Sequence, residues 1–131
     1  MTVGHGAKIL VVDDEPLMRV TIADALTGEG YTAERGETGF ALLGQDHWDI
    51  VITDLRLPDM EGMAILKEAK GRNPQTDVIL ITAYGSIDSA VMAMKEGASD
   101  YLTKPFSMDE LLLVVKRLLR MRALEEENRA L

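Results

Sequence analysis

Short apolar runs, separated by helix-like stretches, set the limits on how this chain can fold. Four of these runs stand directly before polar residues: Ile9-Leu10-Val11-Val12, Ile50-Val51-Ile52, Val78-Ile79-Leu80-Ile81 and Tyr101-Leu102. Strands that are buried on both faces of a parallel sheet read as continuous apolar runs of this kind. The alternation therefore predicts an α/β fold in which helices cover both faces of a parallel sheet.

The pattern predicts five strands alternating with five helices in a doubly wound domain with the sheet order 2-1-3-4-5. The strands are expected at Lys8–Val12, Tyr31–Glu34, Ile50–Thr53, Asp77–Thr82 and Ser99–Leu102. The helices are expected from Pro16 to about Thr27, near Thr38–Gly44, at Met63–Arg72, at Ile87–Glu96 and from Ser107 onwards. Gly28 and the pair Asn73-Pro74 mark two of the helix ends.

Composition excludes several classes of protein. The 131 residues suffice for one domain with its own core, and no run approaches the ~20 apolar residues of a membrane-spanning helix. The absence of cysteine excludes disulfides and thiolate metal sites, and it fits a reducing cytoplasm. The net charge of −8 argues against direct nucleic-acid binding and favours a cation or a basic partner surface. We therefore expect a cytoplasmic protein that does not enter the membrane.

Polar residues at the ends of four predicted strands are expected to form one pocket. Asp13 and Asp14 follow the first strand, Asp54 the third, Thr82 ends the fourth, and Lys104 follows the last. The carboxyl ends of parallel strands carry the functional residues in such sheets, and neighbouring strands lie only ~4.8 Å apart. Carboxylates about 4 Å apart repel by about 1 kcal/mol in water and about 4 at an effective dielectric of 20. The pocket therefore predicts a Mg²⁺ site, with Asp54 as a nucleophile that can form an acyl phosphate.

Each of these residues also has a plainer interpretation. Asp13 and Asp14 could cap a helix, and Asp54 could be a turn residue. Thr82 could be an ordinary strand residue, and Lys104 a solvated lysine. In the pocket, by contrast, the Thr82 hydroxyl would donate to a phosphoryl oxygen and Lys104 would act as a point positive charge. The order of the strand ends, which places acid pair, nucleophile, hydroxyl and amine in succession, favours the pocket.

Four motifs in the same order resemble the receiver domain of bacterial two-component response regulators. They are Ile9-Leu10-Val11-Val12-Asp13-Asp14-Glu15, Asp54-Leu55-Arg56-Leu57-Pro58-Asp59-Met60-Glu61-Gly62, Ile81-Thr82-Ala83-Tyr84 and Gly97-Ala98-Ser99-Asp100-Tyr101-Leu102-Thr103-Lys104-Pro105-Phe106. The resemblance covers roughly Lys8 to Leu119. It implies a CheY-like fold and a regulatory domain, not an enzyme, that assists its own phosphorylation and autodephosphorylation.

The resemblance also implies a role for each acid in the pocket. Asp54 becomes the phosphoacceptor for a sensor histidine kinase. Asp14 and Asp54 bind Mg²⁺ directly, with Mn²⁺ as a substitute, and Asp13 acts through a water molecule. The backbone carbonyl of Arg56 completes the protein ligands of the metal.

A switch is implied next to the metal site. Thr82 is the switch hydroxyl, Tyr101 the switch aromatic residue and Lys104 the amine that contacts the phosphoryl group. The bond between Lys104 and Pro105 is expected to be cis. Phosphorylation is expected to draw Thr82 inward and to let Tyr101 follow, which repacks the face formed by the helix near Ile87–Glu96, the last strand and the last helix.

The last helix carries apolar residues past its expected docking stripe. Residues 1–119 are expected to form the receiver domain and residues 120–131 a helical linker. Met121, Leu124 and Leu131 continue the spacing, with Asn128 at an a-like position, so a dimerising helix and a frayed solvated tail both remain open. The chain is most similar to receiver domains of enhancer-binding AAA+ transcription activators. This similarity implies a longer protein with a C-terminal ATPase and DNA-binding domains.

Two other classes fit less well, and a third remains an alternative. A haloacid-dehalogenase-like phosphatase would carry a second Asp two residues after the nucleophile, where this chain has Arg56, and it would need a cap. A flavodoxin-like carrier needs a phosphate-cradling first loop, but Asp13 and Asp14 would repel a phosphate. A stand-alone receiver or phosphorelay domain differs only in its output.

Overall fold

The computed structural model describes residues 6–36, 43–44, 47–57, 62–83 and 85–130. Its strands are β1 Lys8–Val12, β2 Thr32–Gly36, β3 Ile50–Asp54, β4 Asp77–Thr82 and β5 Asp100–Thr103. Its helices are α1 Pro16–Gly28, α2 Gly62–Arg72, α3 Ile87–Lys95 and α4 Met108–Ala130. The helix predicted near Thr38–Gly44 falls mostly on residues outside the described ranges.

The strands form a single five-stranded sheet in the order β2-β1-β3-β4-β5, and every neighbouring pair is parallel. This confirms the predicted fold class and strand order. The register pairs Val12 with Thr53. The residues that follow them, Asp13 and Asp54, therefore lie side by side. Across the sheet, Thr82 pairs with Thr103, which puts Lys104 at the same edge.

The core has two layers because successive strand residues point to opposite faces of the sheet. On one face, Ile9 and Val11 pack with Ile22 of α1 and with Leu111 and Val115 of α4. On the other face, a second cluster joins β1, β3 and β4 to buried residues of α2 and α3; it includes Leu10, Val51, Val78, Leu66 and Ala93. Helices therefore cover both faces, as a doubly wound sheet requires.

Helix ends follow the local signals in the sequence. Pro16 is in the first turn of α1, where its missing N–H costs no hydrogen bond. Ser86 caps α3 by accepting a hydrogen bond from the Ser89 N–H, and the Ser107 hydroxyl accepts one from the Glu110 N–H at the start of α4. Among the described residues, none of the helices combines the length and the apolar character that a membrane span requires.

Five strand boundaries differ from the prediction by one or two residues: the starts of β2 and β5, and the ends of β2 at Gly36, β3 at Asp54 and β5 at Thr103. Tyr31 was expected to open the second strand, but its N–H donates to the Leu26 carbonyl at 3.2 Å and so belongs to the turn that ends α1. The strand β2 begins one residue later, at Thr32. The last strand, β5, begins at Asp100 instead of Ser99.

Candidate functional site

Three strand ends bring two aspartates and one lysine into direct contact at the carboxyl edge of the sheet. The Lys104 Nζ lies 3.0 Å from Asp13 Oδ2 and 2.9 Å from Asp54 Oδ2. It also lies 3.0 Å from Glu15 Oε1. Asp13 is fully buried and Asp54 is 6% exposed. One ammonium group is thus shared by three carboxylates, and the two aspartates are almost removed from solvent.

Backbone groups hold Asp54 in place. The Arg56 N–H donates to Asp54 Oδ1 at 2.9 Å, which leaves Oδ2 to Lys104. The next residue, Leu55, donates its N–H to the Ile81 carbonyl at 2.9 Å and ties the loop to β4. A side chain at Gly62 would overlap the carbonyl oxygen of Asp54, so only a glycine lets α2 start this close to the strand end. These backbone contacts therefore orient the Asp54 carboxylate toward Lys104.

Asp13 is held by its neighbours in the loop between β1 and α1. Its Oδ1 accepts a hydrogen bond from the Glu15 N–H at 2.9 Å, and its backbone carbonyl accepts one from Arg19 Nη1 at 2.6 Å. These contacts start α1 immediately after the strand and keep the Asp13 side chain turned into the pocket.

The pocket shifts the protonation equilibria of two groups. Burial raises the pKa of Asp13; hydrogen bonds from the Glu15 N–H and Lys104 counteract this, and the nearby Asp54 charge adds to it. Burial by itself would lower the pKa of Lys104, but hydrogen bonds to Asp54, Glu15 and Asp13 raise it above its ordinary range. Lys104 is therefore a permanent cation at neutral pH.

The carboxylates fit a hard divalent cation. Oxygens of Asp13, Glu15 and Asp54 all lie within 4.8 Å of one another. Three negative charges face one positive charge in the resting ion pairs, so the site retains an excess negative charge that a divalent ion would offset. Oxygen ligands with room for water are the coordination that Mg²⁺ prefers. The acidic group is thus of the kind found in a receiver Mg²⁺ site.

The acidic group includes one residue that was not expected from the sequence. Among the described residues, it contains Glu15 beside Asp13 and Asp54, and Asp14 is exposed. Glu15 was not singled out from the sequence, although it directly follows the acid pair. Its side chain is 60% exposed and reaches Lys104 across the mouth of the pocket. The signal that could have identified Glu15 is its position directly after the two acids of the predicted metal site.

The residues proposed for the switch lie on β4 and β5. Thr82 is fully buried, and its carbonyl accepts a hydrogen bond from the Lys104 N–H at 2.8 Å. Tyr101 is partly buried, and its hydroxyl lies 3.0 Å from the hydroxyl of Ser89 in the first turn of α3. A Cβ on Gly85 would come within 2.9 Å of the Tyr101 hydroxyl. The Lys104–Pro105 peptide bond is cis.

Solved structures with the same fold include two receiver domains. A CheY-like response regulator receiver domain protein from Methanospirillum hungatei superposes with a TM-score of 0.88 at 31% identity, covering 92% of this chain and 98% of that chain. The solution structure of the beryllofluoride-activated NtrC4 receiver domain dimer superposes with a TM-score of 0.82 at 32% identity, covering 87% and 98%.

Sequence comparisons identify the same family. The DNA-binding transcriptional regulator NtrC of Salmonella typhimurium is 41% identical over 112 residues, which are 83% of this chain and 24% of that protein. The chain spans 24% of this NtrC and 28% of the regulatory protein AtoC of Escherichia coli, about a quarter of the length of these two relatives. The family model described as "Response regulator receiver domain" matches residues 9–116. The chain therefore belongs to the receiver domains of two-component response regulators, and it is a regulatory domain.

Proposed function

We propose that this chain is a phosphorylation-controlled signalling switch that accepts a phosphoryl group from a sensor histidine kinase on Asp54. The observation that carries the proposal is the sharing of one ammonium, Lys104, by three carboxylates, two of them buried. Such an arrangement leaves negative charge uncompensated, and this is unfavourable unless a bound cation offsets it. Family membership supports the same assignment.

Mg²⁺ binding is part of this proposal. Asp14 and Asp54 would bind the ion directly, Asp13 through a water molecule, and the Arg56 carbonyl would complete the protein ligands. Asp14 is exposed, so its carboxylate is accessible to an incoming cation. When bound, Mg²⁺ neutralises charge on phosphoryl oxygens and so lets an anionic carboxylate approach phosphorus.

The chemistry assigned to the protein is nucleophilic. A carboxylate oxygen of Asp54 forms a bond to phosphorus while the bond between phosphorus and the kinase histidine nitrogen breaks, and the nitrogen keeps the electron pair. The Lys104 Nζ, 2.9 Å from Asp54 Oδ2, is placed to balance charge on the transferred group. Attack of water on phosphorus would reverse the modification and return the free carboxylate and inorganic phosphate.

The output is proposed to pass through Thr82 and Tyr101 to the face formed by α3, β5 and α4. Thr82 would bond a phosphoryl oxygen, and Tyr101 would repack beside it. This face exposes four large apolar side chains of α3: Ile87, Val91, Met92 and Met94. We propose that it supports a homodimer, in line with the dimer of the NtrC4 receiver domain. Sizing with and without acetyl phosphate, with Asp54→Asn as the control, tests this part.

The wider assignment rests on the relatives. Residues 1–119 would be the receiver domain, and residues 120–131 a helical linker to a C-terminal AAA+ ATPase and a DNA-binding domain in a longer cytoplasmic protein. The name of the DNA-binding transcriptional regulator NtrC supports the DNA-binding part of this proposal. The net charge of −8 makes DNA binding by this segment itself unfavourable.

Intact-protein mass spectrometry after incubation with acetyl phosphate and Mg²⁺ tests the central claim. The wild-type chain is expected to gain the mass of one phosphoryl group. Asp54→Asn is expected to gain none, because it removes the nucleophilic oxygen. Asp24→Asn, at an exposed position on α1, is the matched control and should behave as wild type. Phosphorylation of Asp54→Asn to the same extent as wild type would show that the acceptor has been misassigned.

A further inference from the structure

The last helix makes a specific contact beyond the expected end of the domain. Arg122 lies three residues past Leu119 on α4, and its Nη1 donates a hydrogen bond to the Asp49 carbonyl oxygen at 2.8 Å. The same nitrogen lies 3.3 Å from Asp49 Oδ1. The Arg122 side chain is only 19% exposed, which is unusual for an arginine on a solvated tail.

Asp49 is a fixed point in the sheet. Its Oδ2 accepts a hydrogen bond from the Lys8 N–H at 2.8 Å, and its own N–H donates to the Lys8 carbonyl at 2.9 Å. Its carbonyl also accepts from the Asp77 N–H at 3.0 Å. One residue thus joins the starts of β1, β3 and β4. Arg122 therefore binds to a backbone segment that three strands hold in place.

The contact continues along the helix on both sides of Arg122. One surface cleft is lined by Gly6 and Ala7 of the body together with Ala123 and Glu126 of the helix. A second cleft, on the other side, is lined by Lys70 and Pro74 together with Met121 and Glu125. The helix therefore lies against the amino ends of the strands through this turn. Arg120, two residues earlier on α4, is exposed, and it serves as an internal comparison for Arg122.

We propose that Arg122 is a positioning residue that fastens the helical extension to the amino end of β3. The rigid body of the domain then reaches at least to Arg122, and the sheet sets the direction in which α4 leaves it. In any assembly built through the exposed Met121 and Leu124, this contact would fix the angle between the helix and the body. The proposal does not depend on phosphorylation of Asp54.

Amide hydrogen exchange on the 131-residue chain tests the proposal. Arg122→Gln is expected to raise the exchange rates of residues 120–127 about tenfold, since a hydrogen-bonded charged group contributes enough to change local opening by roughly that factor. The amides of β1, β3 and β4 should keep their protection. Arg120→Gln is the matched control and should leave both sets unchanged. Equal exchange at residues 120–127 in the two variants would overturn the proposal.

A distance measurement covers amides that exchange too fast to follow. Because the chain contains no cysteine, spin labels can be placed at Lys95→Cys and Glu127→Cys, both at exposed positions. Dilution with unlabelled chain restricts the signal to distances within one molecule. Arg122→Gln is expected to broaden the distance distribution relative to Arg120→Gln. Distributions of the same centre and width in both variants would show that Arg122 does not set the direction of the helix.

Discussion

The acidic residues at the two ends of the sheet differ in how their charges are paired. At the carboxyl end, Asp13, Glu15 and Asp54 share the single ammonium of Lys104. At the amino end, two of the three aspartates pair with an arginine of α4: Asp49 with Arg122 at 3.3 Å and Asp100 with Arg117 at 2.7 Å. The third, Asp77, accepts a hydrogen bond from the Ser99 hydroxyl. Aspartates therefore share one cation at the carboxyl end, whereas two of them have a separate arginine at the amino end.

The contrast separates function from fold stability. Balanced pairs at the amino end fasten α4 to the strands and need no further ligand. At the carboxyl end, two of the acids are buried and their charge exceeds that of their partner, which is costly in a medium of low dielectric. A protein can retain such a cluster when a bound cation offsets its negative charge. Substitutions at the two ends should therefore change stability by different amounts and even with different signs.

Among these substitutions, removal of Lys104 is expected to change the free energy of unfolding most. Lys104→Met leaves three carboxylates without a cation, and we expect the free energy of unfolding to fall by about 3 kcal/mol, as when one partner of a buried ion pair is lost. Urea titration without divalent ions measures the loss. Mg²⁺ should restore part of it by taking over the neutralisation. A loss below about 0.5 kcal/mol would mean that the ammonium is not the counter-charge of this cluster.

Removal of one acid should act with the opposite sign. Because burial raises the pKa of Asp13, ionisation of this carboxyl favours the unfolded chain. We expect Asp13→Asn to raise the free energy of unfolding at neutral pH, because the amide removes a charge whose burial is unfavourable. The Asn oxygen can still accept from the Glu15 N–H.

The gain from Asp13→Asn should depend on pH. Below about 3.8, the ordinary pKa of an aspartate, Asp13 is protonated in both the folded and the unfolded chain and the gain should vanish. It should grow as the pH rises above that value and level off above the raised pKa of the folded state. At the other end of the sheet, Asp49→Asn should instead destabilise. A stability loss in both variants at neutral pH would remove the distinction between the two ends.

The smallest effect is expected at the exposed pair of the amino end. The Arg117 side chain is 57% exposed, so its bond to Asp100 is screened by water and by salt. Arg117→Gln should lower the free energy of unfolding by about 0.5 kcal/mol or less. Thermal unfolding at low and high salt checks this, and the difference should shrink as salt is added. An effect as large as that of Lys104→Met would contradict the classification of this pair.

The sheet and the residues at its strand ends could be predicted from the sequence for one physical reason. Strands buried on both faces must be apolar throughout, so β1 and β4 were predicted with their correct bounds, and the polar residues that follow mark the edge. The contacts of long side chains were not predictable in this way. Glu15 and Arg122 act on Lys104 and Asp49, which are 89 and 73 residues away in the chain, and no local pattern specifies such pairs.

A side chain at position 85 would overlap with the side chain of Tyr101. A Cβ at position 85 would lie 2.9 Å from the Tyr101 hydroxyl and 2.8 Å from Thr103 Cγ2, whereas ordinary carbon contacts are longer. A larger residue 85 would therefore displace the tips of these two side chains, so the present position of the Tyr101 ring depends on the absence of a side chain at residue 85.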